Sequence, residues 1–144
     1  MFERIVTMKR FALSIVLVLF IAVSAFAADY TFTPRYGGGY NVYGSNGRSA
    51  YTMPRYGGGY NIYGSDGSSA YTTSRYGGGH NYYGSSGRSW YSTPRYGGGY
   101  NSYGNHGTYN YSTPRYGGGY NYYGDSAQGY STPRYGGGWN YYGR

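Results

Sequence analysis

Apolar positions along this chain fall into two unlike patterns. From Phe11 to Phe26 they run almost without interruption, whereas from Tyr30 onward they are nearly all aromatic rings, set at fixed intervals among glycines and small polar residues. The frame Arg-Tyr-Gly-Gly-Gly-(Tyr/His/Trp)-Asn-x-Tyr-Gly occurs six times between Arg35 and Gly143. Copies begin at Arg35, Arg55, Arg75, Arg95, Arg115 and Arg134. Within one copy, Tyr40-Asn41-Val42-Tyr43 is made of strand formers, and Gly44-Ser45-Asn46-Gly47 ends in the Asn-Gly pair that favours a tight hairpin turn. Arg48 to Thr52 reads as the return strand, so each copy predicts one β-hairpin. Later copies place Asp66-Gly67 and Ser86-Gly87 at the same point, which is again turn chemistry. The fifth copy is one residue shorter between Gly124 and Tyr130 than the first is between Gly44 and Tyr51. A deletion is absorbed most easily in a loop, which is where the hairpin reading puts it.

Pro54, Pro94, Pro114 and Pro133 precede Arg-Tyr, with Ser74 in their place once; lacking an amide donor, proline there marks the link between hairpins. Three successive glycines exclude helix, at about 1 kcal/mol each relative to alanine. They read either as an extended stretch closely approached by a neighbour or as a flexible spacer. In the extended reading Tyr36, Gly38, Tyr40 and Val42 share one face, and Arg35, Gly37, Gly39 and Asn41 the other.

The ends of the array are half-repeats. Tyr30-Thr31-Phe32-Thr33-Pro34 resembles a return strand without its partner, and Trp139-Asn140-Tyr141-Tyr142-Gly143 a first strand without its return. Pairing them would close the six units into a ring or small barrel and remove the exposed sheet edges. The expected fold is therefore all-β, with tandem 20-residue hairpins; an open hairpin stack and a disordered low-complexity chain are the alternatives. The organisation is residues 1–27 as a leader, 28–32 as an N-terminal half-strand, and repeats at 33–52, 53–72, 73–92, 93–112, 113–131 and 132–144.

Residues 1–27 carry Arg4, Lys9 and Arg10, then the apolar run, then Ala25-Phe26-Ala27, the layout of a secretory signal peptide cleaved after Ala27. Met8 is an alternative start, and an uncleaved inner-membrane anchor over residues 11–28 is the alternative to cleavage. Either way the chain is expected to be exported, to periplasm, outer surface or medium. The chain has no cysteine, so neither a disulfide nor a thiolate metal site staples it. Beyond residue 27 there is no leucine or lysine, and Val42 and Ile62 are the only branched aliphatics against 26 tyrosines and 29 glycines. An interior must come mostly from phenol rings packed together, or the chain stays loose.

The stretch Asn81-Tyr82-Tyr83-Gly84-Ser85-Ser86-Gly87 resembles the 20-residue aromatic hairpin repeats of cell-wall- and glucan-binding modules. That resemblance implies aromatic pockets between successive hairpins that hold choline or sugars; the triple glycine and the missing lysine depart from the pattern. Tyr43 to Arg48 is similar to the core of bacterial YD repeats, with Gly44 where that family has Asp. The composition resembles glycine- and tyrosine-rich exported short-repeat proteins.

Residues for chemistry are sparse. After residue 27 the acids are Asp29, Asp66 and Asp125, with no repeated carboxylate pair for acid and base roles. His80 stands where other copies carry tyrosine or tryptophan, and His106 lies in a turn; neither has the repeated partners of a metal ligand or base. No catalytic, metal or cofactor site is expected, and no enzyme. What repeats is arginine beside tyrosine: Arg35-Tyr36, Arg55-Tyr56, Arg75-Tyr76, Arg95-Tyr96, Arg115-Tyr116 and Arg134-Tyr135. Nine arginines against three aspartates leave the processed chain at +6, which favours envelope polyanions or glycans as partners. On one reading these pairs form a basic aromatic binding surface. On the other, the guanidinium groups stack on tyrosines inside the array and hold repeats together. Self-association is a further expectation; export argues against a chromosomal nucleic-acid role, and membrane contact is expected only through an uncleaved leader. The function this suggests is a structural or surface protein of the bacterial envelope or extracellular matrix, with a glycan- or polyanion-binding module and a disordered adhesive chain as alternatives.

Overall fold

The computed structural model describes residues 28–125 and 128–143. The leader reading, its Met8 start and nearly all of the anchor alternative lie outside the described residues. Twelve strands follow in order: β1 (Tyr30–Pro34), β2 (Tyr40–Gly44), β3 (Ser49–Pro54), β4 (Tyr60–Gly64), β5 (Ser69–Ser74), β6 (His80–Gly84), β7 (Ser89–Pro94), β8 (Tyr100–Gly104), β9 (Tyr109–Pro114), β10 (Tyr120–Gly124), β11 (Gly129–Pro133) and β12 (Trp139–Gly143). Each pairs antiparallel with its sequence neighbours, and β1 pairs with β12, so the sheet closes into a barrel. The closing register is Tyr30↔Tyr141, Thr31↔Asn140 and Phe32↔Trp139. The two terminal half-repeats therefore complete each other, and neither an open stack nor a disordered chain describes this fold.

The repeat sets the curvature. Following paired positions through one unit, from Phe32 to Val42 and on to Ala50, arrives two residues short of Thr52, the counterpart of Phe32. Repeated around the ring, this stagger tilts the strands against the barrel axis, which is the geometric condition for closure. With twelve strands about 4.8 Å apart, the backbone ring is roughly 20 Å across.

Each repeat contains two turns rather than a turn and a linker. Gly44 to Arg48 forms one, with Gly47 N–H donating to the Gly44 carbonyl and Gly44 N–H to the Arg48 carbonyl. That is a type I turn closed by a left-handed glycine, one residue longer than the two-residue hairpin that Asn-Gly suggests. The fifth copy's deletion falls in the matching loop, between Gly124 and Gly129.

The triple glycine is the second turn, which corrects both expectations for it. Gly37, Gly38 and Gly39 have φ of +84°, +96° and +81°, and Arg35 N–H donates to the Gly39 carbonyl across them. Three consecutive left-handed residues are accessible to glycine alone. Tyr36 and Gly38 accordingly sit in the turn and share no strand face with Tyr40 and Val42. Proline is not a link between hairpins either: Pro54 is the last residue of β3, paired with Tyr60. Its ring lies beneath Gly38 of the preceding turn, close enough that a Cβ on Gly38 would meet Pro54 Cγ at 2.9 Å. The same contact joins Gly137 to Pro34 across the closure.

The interior alternates large and small. Val42, Ile62, Tyr82, Tyr122 and Tyr141 point inward from even-numbered strands, and Thr52, Thr72, Ser92, Ser112 and Ser131 from odd-numbered ones, with the order reversed at Phe32 of β1 and Ser102 of β8; all are buried. The small residues do more than make room. Thr52 Oγ1 accepts the Tyr40 N–H at 2.8 Å, and Thr72 accepts Tyr60 N–H at 2.8 Å. Ser92, Ser112 and Ser131 repeat the latch with His80, Tyr100 and Tyr120. Rings also fill glycine gaps, but at the strand ends rather than in the triple glycine: Tyr30 lies over Gly44, and Trp90 over Gly104 beside the small Ser102. His80, at the start of β6, is buried, and burial lowers its pKa.

Tyrosine burial is less complete than the composition demanded of a folded chain. Fourteen of the 26 tyrosines remain exposed. The closed backbone ladder carries what ring burial does not, because a barrel leaves no strand edge unpaired.

Candidate functional site

Odd-to-even turns, each containing an Arg-Tyr pair, all lie at one end of the barrel. The alternation of the strands then sends the two side chains of each pair in different directions. Arginine turns back over the outer wall. Arg35 Cζ lies 4.6 Å from the centre of the Tyr51 ring, and Arg55, Arg75, Arg95 and Arg115 lie 4.3–4.6 Å from Tyr71, Tyr91, Tyr111 and Tyr130. Nη1 of Arg35 donates to the Thr52 carbonyl at 3.3 Å, as Arg55 does to Thr72; Arg95 and Arg115 make the longer equivalents to Ser112 and Ser131. Arg75 instead reaches Asn81 Oδ1 at 3.4 Å. Each of these arginines is half-buried.

The tyrosines go the other way. Tyr36, Tyr56, Tyr76, Tyr96, Tyr116 and Tyr135 are each 107–109% exposed, projecting from the turns with no ring stacked on them among the described residues. The pairs that look like one motif in the sequence are thus divided: a clamp from the turn onto the return strand of the same repeat, and a crown of phenols on the rim.

A second set of tyrosines circles the outside of the wall. Tyr51 stacks on Tyr63, Tyr71 on Tyr83, Tyr91 on Tyr103, Tyr111 on Tyr123 and Tyr130 on Tyr142, with ring centres 4.9–5.1 Å apart. Each first-named ring lies between its stacked partner and an arginine. Sequence reasoning missed this girdle, although its signal was available: the arginine of one copy and the ring it covers stand 16 residues apart in four copies and 15 in the shortened fifth. The sixth position breaks the pattern. Thr31 stands where the ring belongs, so among the described residues Arg134 at the closure covers no tyrosine and Tyr43 has no stacked partner across the strand.

Ionisable groups are scattered. Asp29 tethers the closure by accepting Gly143 N–H at 3.2 Å, Asp66 caps its own turn by accepting Ser68 N–H at 2.9 Å, and Asp125 accepts Tyr109 N–H at 2.9 Å. Among the described residues, no three His, Cys, Asp or Glu side chains come together as metal ligands would. Burial raises the phenol pKa of Tyr82 to about 12 and raises those of Tyr122 and Tyr141 further. Strands of five or six residues are about half the 9–11 needed to cross a bilayer. Among the described residues, no helix is long and apolar enough to span a membrane. In comparisons with family models, curated proteins and solved structures, the chain matches none.

Proposed function

We propose that this chain is an exported, non-enzymatic structural or surface protein of the bacterial envelope or extracellular matrix, acting as a small rigid barrel that presents aromatic side chains. The observation that carries the reading is the division of the Arg-Tyr pairs: five of the six arginines are committed to stacking on a wall tyrosine of their own repeat, and what the pairs leave on offer is a rim of six exposed phenols. Closure supports it as well, since a barrel without free edges is suited to a crowded surface where open sheets would aggregate. The apolar leader and Ala25-Phe26-Ala27 exit motivate export. Cell fractionation with identification of the mature N-terminus tests this. The expected result is a chain beginning at Ala28 in the periplasm, on the surface or in the medium; an unprocessed chain in the cytosol overturns it.

Glycan binding is the second reading, and the rim favours it, because exposed phenols on adjacent turns offer stacking faces to sugar rings. The envelope-polyanion version has less support, since the repeated arginines are half-buried against tyrosines. A glycan array scored with and without serine at Tyr36, Tyr56, Tyr76, Tyr96, Tyr116 and Tyr135 separates the two: saturable binding lost in the variant identifies a lectin-like role. Binding lost only when the arginines are replaced, and abolished by salt, points to polyanions.

A further inference from the structure

The interruption at Thr31 leaves one place in the girdle without a ring. Five times around the wall, a tyrosine sits with a second tyrosine on one side, 4.9–5.1 Å between centres, and a guanidinium on the other at 4.3–4.6 Å. At the sixth place Tyr43 and Arg134 hold the equivalent register and turn positions, with Thr31 where the ring would stand. Tyr43 pairs with Thr31 as Tyr63 does with Tyr51, and Arg134 opens the turn that precedes β12 as Arg35 opens the turn that precedes β2. The floor is short: Thr31 Oγ1 donates to Asn140 Oδ1 at 3.3 Å. One observation marks the missing ring: Tyr43 is 53% exposed against 37–42% for Tyr63, Tyr83 and Tyr123.

We propose that this slot, bounded by Tyr43, Arg134, Thr31 and Asn140, binds a phenol ring, and that its occupant is a rim tyrosine of a second copy of the chain. The slot's chemistry selects the ring: the electron-rich face of a phenol complements the guanidinium, and its other face stacks on Tyr43. The chain itself supplies that ring five times in equivalent surroundings. Each copy also carries six wholly exposed tyrosines on its rim, held out on glycine turns with room to enter a neighbour's wall. Because rim and slot are different surfaces, the contact is heterologous: each copy accepts one ring and offers several, so contacts propagate into open or branched assemblies instead of stopping at a two-fold dimer. The proposal rests on the barrel and not on the envelope reading, and its test leaves the fractionation result untouched.

The test is sedimentation velocity of the processed chain from Ala28, which contains the whole barrel, over a concentration series reaching about 1 mM, where a contact of roughly 4 kcal/mol is half-populated. Wild type is expected to associate with concentration. Thr31→Tyr fills the slot from within and should weaken association at least about tenfold, equivalent to roughly 1.4 kcal/mol, while retaining all six rim rings. A second variant with serine at all six rim positions keeps the slot but should not self-associate. Mixed together, the two variants should form complexes that neither forms alone, since one supplies rings and the other a slot. In NMR titration, N-acetyltyrosinamide should shift Thr31, Tyr43 and Arg134 of the rim variant and leave Tyr51 and Tyr71 unmoved. A wild type that stays monomeric throughout, an association unchanged by Thr31→Tyr, or a probe that shifts all six positions alike overturns the proposal.

Discussion

Replacing Arg55 by methionine keeps the alkyl stem that packs on the wall and removes only the guanidinium, so it measures what the clamp contributes. Two interactions are lost. The stack over Tyr71, at 4.5 Å and half-exposed, is worth about 0.5–1 kcal/mol. The Nη1 hydrogen bond to the Thr72 carbonyl, long at 3.3 Å, contributes about 1 kcal/mol more. Arg55→Met should therefore destabilise the barrel by about 2 kcal/mol, or lower Tm by roughly 8 °C at about 4 °C per kcal/mol for a domain of this size. The molecule supplies its own control. Arg134 occupies the same place in the sixth turn but covers no ring, and its Nη1 has no hydrogen-bond partner among the described residues. Arg134→Met should cost at least about 1 kcal/mol less than Arg55→Met. Urea unfolding followed by tyrosine fluorescence, with m unchanged between variants, reads the difference directly. A double-mutant cycle with Tyr71→Leu should return a coupling of about 0.5–1 kcal/mol. Equal losses at Arg55 and Arg134, or no coupling to Tyr71, would refute the clamp and return the arginines to a role on the surface.

Three other perturbations follow from the same geometry. Gly39→Ala should be far more damaging than Gly37→Ala, because both have positive φ, costing about 1–2 kcal/mol, but only at Gly39 does the added Cβ strike the Thr52 carbonyl; similar melting curves would contradict the turn. Thr72→Val keeps shape and burial but orphans the Tyr60 N–H, and should cost about 1–3 kcal/mol in chemical denaturation; a neutral substitution would show that the interior hydroxyls only fill space. Burial raises the phenol pKa of Tyr40, Tyr60, Tyr82, Tyr122 and Tyr141, whereas in the unfolded chain each ionises near pH 10. The folded state then holds protons that the unfolded state releases, so stability is intact below about pH 10 and falls above it, by up to about 1.4 kcal/mol per pH unit for each ring still protonated. Unfolding free energies that stay flat between pH 9 and 11.5 would place those rings in solvent.

How much of this was legible in the letters depended on which residues carried the signal. Hairpins and closure were readable because turn glycines recur on one period and because Tyr30–Pro34 and Trp139–Gly143 are visibly half-units. The triple glycine was not, since residues without side chains carry no periodicity to distinguish an extended stretch from a left-handed turn. Nor could the inner face be chosen from polarity: Val42 and Tyr43 are adjacent, both apolar, and only the register puts the first inside and the second on the girdle. The Arg-Tyr pairs stand out in the sequence because they repeat, and their adjacency suggests joint action. In the fold, five of the six arginines work with a tyrosine of the return strand, and the adjacent ring is left on the rim.

The central claim is that the first and last strands pair within one chain to close the ring. Solution NMR on dilute, monomeric protein tests it most directly, through cross-strand NOEs and amide exchange at β1 and β12. The account predicts contacts from Tyr30, Thr31 and Phe32 to Tyr141, Asn140 and Trp139, with the amides that join these strands protected like those between β3 and β4. Strands β1 and β12 without mutual NOEs and exchanging at coil rates, while the inner hairpins stay protected, would contradict it.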